Sequence, residues 1–488
     1  MKVRLISIRL ALCGVVFVGG CLPTQQSEVN LYRSLLDERL APENAPAPDE
    51  TLSLSRAMAL ANQHDEQLAS RGEDYVQAII QKHRIVMNFL PTVTLQPTFT
   101  IEDAPSGTAA NQITDGNNGA QVVTGSSVTN ASTVNSGFKV VGSTLQRTEV
   151  PAVGELNIFR GFGDIASLKA AASTIEERKL LLYDLQSTIM LNVAQTYYQV
   201  LRSEKQVGVL KDSLRLQEER LREVTDQFNH GLAIKLSVAQ SEAQRDATIV
   251  SLTQAESDVR NGRSTLAYLI GVRAVPNPLI DDYKLPGLID AEKAFEARAQ
   301  TEREDLLASN QGIKAAKHNV DVAISEYYPS INIDVAGFAY REFYADASKW
   351  NAILYANIPI FSAGAIESDV RDAWSALRQA MLSASQTERV VMEQVQISYD
   401  QFMTSKEKYK ELESQVAASQ EAYDQSLSAY HNGLGINLDV LTAQDQLLDS
   451  QLQLASAGFD RTVFYLSLLR STGEIVPEAK LLATHASL

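Results

Sequence analysis

Cysteine is almost missing from this 488-residue chain: only Cys13 and Cys21 are present. Cys13 lies in an N-terminal apolar stretch that reads as a removable leader, so no disulfide is expected within a mature chain. The six histidines are dispersed without metal-ligand spacing. A phosphate-binding glycine loop, an HExxH pair and a nucleophile elbow are all lacking. These absences argue against an enzyme and leave no metal or cofactor to expect. No window reaches about 18 uninterrupted apolar residues, so no helix is expected to cross a membrane. Basic charge is also short: 43 Lys and Arg against 59 Asp and Glu leave a net charge of −16, which disfavours a nucleic-acid partner. Proline is absent from Ile165 to Gly271, and only Gly208, Gly231 and Gly262 interrupt that stretch before its end. A very long helix is the expectation there.

What the chain does contain, it contains twice. Phe159, Tyr197, Gly231, Leu232, Ile234, Leu236, Val238 and Gly271 recur 202 positions later as Phe361, Tyr399, Gly433, Leu434, Ile436, Leu438, Val440 and Gly473. Leu68 and Pro91 recur 238 positions later as Leu306 and Pro329. The 36-residue difference between the offsets is an insertion in the first copy, between Pro91 and Phe159. Two copies of one unit predict a pseudo-symmetric body.

The N-terminus reads as a targeting segment. Lys2, Arg4 and Arg9 precede the apolar run Leu10 to Val18, and Val18-Gly19-Gly20-Cys21 resembles a bacterial lipobox. Residues 1–20 are therefore expected to be a lipoprotein signal peptide, with Cys21 carrying the lipid. Leu22 stands where an inner-membrane retention signal would place Asp, so outer-membrane sorting is expected. Residues 21–50, with Pro23, Pro42, Pro46 and Pro48, read as a tether.

The first repeat is placed at 51–275 and the second at 289–475, with a Pro-rich linker at 276–288 and a C-terminal tail at 476–488. Thr51 to Asn88 reads as one helix stopped by Pro91. Alternating apolar residues then predict strands at about 91–102 and 150–160, separated by a polar loop over 103–149. The second copy offers strands at about 329–341 and 350–361, where Trp350, Tyr355 and Phe361 sit as interfacial aromatics do in membrane barrels. Long helices are expected at 165–229 and 365–430, with return helices at 236–271 and 438–472. A seven-residue seam marks each long helix: Val193, Val200, Val207, Leu214, Leu221 and Phe228, then Val395, Phe402, Tyr409, Val416, Tyr423 and Tyr430. That period is the mark of coiled-coil packing. The partner position mixes Leu210 and Leu412 with Ser203, Gln217, Ser405 and Ser419, so one side of each helix is expected to stay wet. Four membrane strands cannot close a useful barrel, and lipid forbids an open edge, so several chains must share one barrel.

This layout resembles the TolC-like outer-membrane efflux proteins over residues 51–475. The junctions Phe89-Leu90-Pro91 and Tyr327-Tyr328-Pro329, the segments Ile158-Phe159 and Pro359-Ile360-Phe361, and Arg303-Glu304-Asp305-Leu306 carry the likeness, the last with Glu304 in place of a family proline. The strongest local match is Asn432-Gly433-Leu434 followed by Leu438-Asp439-Val440-Leu441. The resemblance implies a mainly α fold with a membrane β-barrel portion. Long helices would form a periplasmic α-barrel, and four strands per chain would build a twelve-stranded trimeric barrel. It further implies a homotrimeric outer-membrane channel-tunnel, lipid-anchored in a Gram-negative cell. The channel would dock a periplasmic adaptor and an inner-membrane transporter of the RND or ABC kind, for efflux or type I secretion. Gly231, Leu232, Gly433 and Leu434 would be adaptor-contacting tips. Asp439 would ring the pore entrance, while Thr442 and Ser237 leave two further acidic positions unfilled. A periplasmic coiled-coil adaptor or scaffold lipoprotein is the alternative reading, and Asp439 as a mere helix cap is the plain one.

Overall fold

The computed structural model describes residues 25–41, 50–103, 139–141, 144–276, 278–287, 290–341 and 349–486. The expected signal peptide, Cys21 and most of the 103–149 loop lie outside these residues. The chain divides into two compact units, one of residues 78–176 and 310–383 and the other of residues 1–77, 177–309 and 384–488.

The smaller unit is built on an antiparallel sheet. Its strands are β1 (Thr92–Leu95), β2 (Thr98–Asp103), β3 (Lys139–Val141), β4 (Thr144–Arg160), β5 (Ser330–Arg341) and β6 (Trp350–Asn357). They follow the order β1-β4-β5-β6, with β2 and β3 also pairing to β4. Val153 faces Ala336 across β4 and β5, and Asn332 faces Tyr355 across β5 and β6. The sequence reading of four strands needs correction in three places. Pro97 has no N–H to donate and splits the first strand into β1 and β2. The fourth strand begins at Thr144 rather than near 150, because its outer part is held by β2 and β3. The last strand stops at Asn357 rather than Phe361, ahead of Pro359. Among the described residues β6 pairs only with β5, and β1 only with β4, so both ends of the sheet are open. Val93, Leu95, Ile353 and Leu354 are all more than half exposed. Each sheet-to-helix junction turns on two left-handed residues, Gly161–Phe162 and, 202 positions later, Ala363–Gly364. A Cβ at Gly161 would fall 2.4 Å from the Ser325 carbonyl oxygen.

The larger unit is helical. Its elements draw on α1 (Gln25–Arg39), α2 (Leu54–His64), α3 (Glu66–Met87), α4 (Gly163–Asn229), α5 (Lys235–Leu269), α6 (Glu292–Glu302), α7 (Glu304–Ser325), α8 (Ala365–His431), α9 (Asn437–Thr472) and α10 (Ile475–Ala486). Of these, α3, α4, α7 and α8 contribute residues to both units. The duplication is nearly to the residue: adding 238 to the bounds of α2 and α3 gives those of α6 and α7, and adding 202 to those of α4 gives α8. At 67 residues each, α4 and α8 run about 100 Å.

Several expectations about this unit are corrected. The helix read over 51–88 is two, broken at Asp65, whose extended backbone lets its carboxylate accept from Leu68 N–H at 2.9 Å and start α3. The supposed tether contains α1, which buries Tyr32, Leu36 and Leu40. At the end of α1 the Leu40 carbonyl accepts from the buried amide of Asn62, and the Leu36 carbonyl, which also takes the Leu40 N–H, accepts from Asn62 and Gln186. The supposed C-terminal tail is α10, whose Ile475, Val476 and Ala479 are buried and which packs on α2 and α9. The long-helix seam also shifts. Val193 and Val200 are fully buried, but further along α4 the buried positions are Ser203, Leu210, Gln217 and Val224, and Phe228 is exposed. The row expected to stay wet is thus the packed one. Its polar members find local partners in part: Ser203 donates to Gln199 O and Gln217 Nε2 to Ser213 Oγ, while Gln217 Oε1 is buried without a hydrogen-bond partner. In the second copy Phe295, Val391, Val395, Phe402 and Leu468 form one cluster, each large apolar side chain contributing about 1.5–3 kcal/mol by its burial.

Candidate functional site at the helical turns

The α4–α5 and α8–α9 hairpins end in superimposable turns. Gly231 and Gly433 have φ of 77° and 71°. In the first turn Gly231 N–H donates to Phe228 O and Leu232 N–H to Gln227 O; in the second Gly433 donates to Tyr430 O and Leu434 to Ala429 O. This paired closure satisfies the last carbonyls of each long helix and demands a left-handed residue, hence glycine. Nothing lies within 4 Å of a Cβ built at either glycine, so φ alone dictates the residue type. Leu232 and Leu434 are 80% and 85% exposed. Ile234, Leu236, Ile436 and Leu438 are exposed as well, giving each turn the same aliphatic band.

Behind the turns lies a polar cluster that joins the hairpins. Arg220 of α4 is 5% exposed, and its Nε and Nη2 donate to Asn437 Oδ1 of α9 at 3.1 and 2.9 Å. Its Nη1 reaches Glu223 Oε2 at 2.8 Å, and its guanidinium lies 3.9 Å from the centre of the Tyr430 ring of α8. Asn437 Nδ2 in turn faces Ser237 O and Ser241 Oγ of α5. Glu223 also meets His431 Nε2 at 3.0 Å, and Tyr430 OH donates to Gln227 Oε1. One buried cation therefore links all four helices.

Residues 297–474 match the family model described as outer membrane efflux protein. The outer membrane efflux protein BepC of Brucella suis is 24% identical over 326 residues, covering 66% of this chain and 71% of BepC. A probable outer membrane lipoprotein, SilC of Salmonella typhimurium, is 23% identical over 301 residues, 58% of this chain and 63% of SilC. The fold matches that of the outer-membrane channel OprN with a TM-score of 0.71 at 18% identity, over 86% of this chain and 90% of that one. The chain is thus similar to the outer membrane efflux proteins, by the family model over residues 297–474 and by fold over most of its length.

Gly231 and Leu232 stand at the end of the α4–α5 hairpin, and Gly433 and Leu434 at the end of the α8–α9 hairpin. Asp439 lies one helical turn beyond, exposed at the start of α9. Its Oδ2 accepts from Ile436 N–H at 3.2 Å, so it caps the helix. Ser237 holds the equivalent place in α5, and Thr442 Oγ1 donates to Leu438 O. Cys21 lies outside the described residues. Sequence reasoning read Tyr430 only as a seam position and His431 only as one of six dispersed histidines, and gave Arg220, Glu223 and Asn437 no role. Their signal was a break in the repeat: 202 positions away stand Ala422, Gln425, Phe228, Asn229 and Lys235.

A second cluster ties α1 to α4 and α7. Arg39 Nη2 pairs with Glu304 Oε1 at 2.5 Å and Nη1 with Gln186 Oε1 at 3.2 Å, while Ser187 Oγ donates to Glu304. Burial pushes the Glu304 carboxyl above the usual range, and Arg39 only partly offsets that. Asp184, paired with Arg470 at 2.6 Å, is also raised by burial.

Proposed function

We propose that this chain is the outer-membrane channel of an efflux or type I secretion system, a passive exit duct. The observation that carries it is the sheet with two open edges and exposed apolar side chains. Lipid leaves unpaired backbone groups without partners, so strands from further copies must close the sheet. The path β1/β2-β4-β5-β6 supplies four spanning positions, and three copies make a twelve-stranded barrel. The duplicated hairpins then form an α-barrel with six similar ends. Their exposed aliphatic bands, at Leu232, Ile234, Leu236 and their repeats, are the surface a periplasmic adaptor would cover. An inner-membrane RND or ABC transporter completes the assembly. Asp439, exposed once per chain, would give one ring of negative charge at the entrance. Anchoring through a lipid on Cys21 fits the probable-lipoprotein description of SilC.

Reconstitution tests this reading. Purified full-length protein should run as three chains in detergent and produce discrete conductance steps in planar bilayers. A monomer, or bilayers that stay silent, would sink it.

A further inference from the structure

Between the hairpins the α4–α9 seam opens into a cleft. It is pinned on one side by Arg202–Asp460 at 3.2 Å and Gln206–Ser456 at 3.1 Å, and on the other by Arg220–Asn437. Between these pins lies a volume of about 480 Å³, lined by residues of α4, α8 and α9. That volume is in the range of pockets that hold drug-sized molecules. Leu210, Ala255 and Leu448 pack into a cluster beside it, with Leu448 also forming part of the cleft wall. Tyr409, Tyr423 and Phe459 supply aromatic walls, and exposed Lys205, Asp212 and Gln420 mark the mouth.

The cleft lining includes Gln444, which is 3% exposed, and neither its Nε2 nor its Oε1 has a hydrogen-bond partner. A buried carboxamide with both ends unmatched is costly, and few are retained without something to meet them. The packing of α9 does not require an amide here, since its neighbours Leu447 and Leu448 are apolar. Gln444 is therefore an unmatched donor–acceptor pair between apolar and aromatic walls, with Ser213 and Gln451 also in the lining and Lys205, Asp212 and Gln420 at the mouth. We propose that this cleft is a binding site for a small amphipathic molecule. The occupant has an aromatic or alicyclic body that fits against Tyr409, Tyr423 and Phe459. Beside that body it carries a paired donor and acceptor, such as a primary carboxamide or sulfonamide, that meets Gln444. Because the cleft lies between two pinned stretches of the seam, an occupant braces one hairpin against the other.

Dansylamide is a suitable probe, since it combines a naphthalene body with a primary sulfonamide and brightens in apolar surroundings. It would be titrated into full-length protein in lipid nanodiscs, with empty discs as the blank. The wild-type protein should show saturable enhancement. Gln444→Leu keeps the volume and removes the pair, and should weaken binding by about tenfold or more. Ala455→Phe, which fills the cleft, should abolish it, with circular dichroism confirming that each variant folds. Absence of saturable binding by the wild-type protein would overturn the proposal, leaving a cleft for water alone. Binding that survives Gln444→Leu unchanged would overturn it too, because Gln444 can be read without relying on the bulkier variant.

Discussion

Replacing Arg220 with leucine removes the cation that links the two hairpins behind their turns. The charge-assisted contact with Asn437 is worth about 1.5–3 kcal/mol. The half-exposed Glu223 adds about 0.2–1 kcal/mol. Stacking on Tyr430 contributes about 1–2 kcal/mol where the ring is partly desolvated. Together the loss is about 3–6 kcal/mol, confined to the hairpin ends. At about 1.4 kcal/mol per tenfold, local opening should become about 100- to 10,000-fold more populated. Amide hydrogen exchange followed by mass spectrometry reads this directly. Peptides covering residues 428–445 should lose protection by that factor, while those from the cluster around Phe402 and Val395 should not change. Arg220→Lys keeps the charge without the planar fork and should fall between. Unchanged protection at the turns in a folded Arg220→Leu variant would refute the view that this cluster holds the hairpins together.

Asp439→Asn keeps the oxygen that caps α9 but removes the charge, so helicity should hold while block of the channel by divalent cations weakens; identical single-channel traces would leave capping as the whole role. For Glu304 the sign follows from burial. Its folded value is raised, so the stability it contributes is present below the ordinary carboxylate range and lost as pH rises through the raised value. The melting temperature of wild type minus that of Glu304→Gln should therefore fall as pH rises above the ordinary carboxylate range, and a difference independent of pH would contradict this. Cys21→Ala should abolish palmitate incorporation in cells, whereas persistent labelling would remove the lipobox reading.

Long helices, their glycine turns and the two-copy order were legible because each follows from local chemistry. The proline-free stretch 165–271 could only be helix, and a left-handed residue had to follow each long helix. The second pair of left-handed junctions was not legible. Gly161–Phe162 and Ala363–Gly364 share a backbone but exchange their glycine, so residue identity hid the match. Nor was α1 visible in a stretch bounded by prolines. Its apolar residues are few, and its order depends on Asn62, Gln186 and Glu304, which lie far away in sequence.

Sequence alone determined the repeat, the approximate extents of the two long helices and the positions of their glycine turns, since hydrophobic period, proline and glycine act within a few residues. It could not decide which seam of α4 would be buried. The valine row looked right by composition, yet Ser203 is inside, donating to the Gln199 carbonyl, and so is Arg220, held by Asn437 of the facing hairpin and by Glu223. Burial of a polar group is a property of the pair that meets, and only tertiary structure brings the partners together.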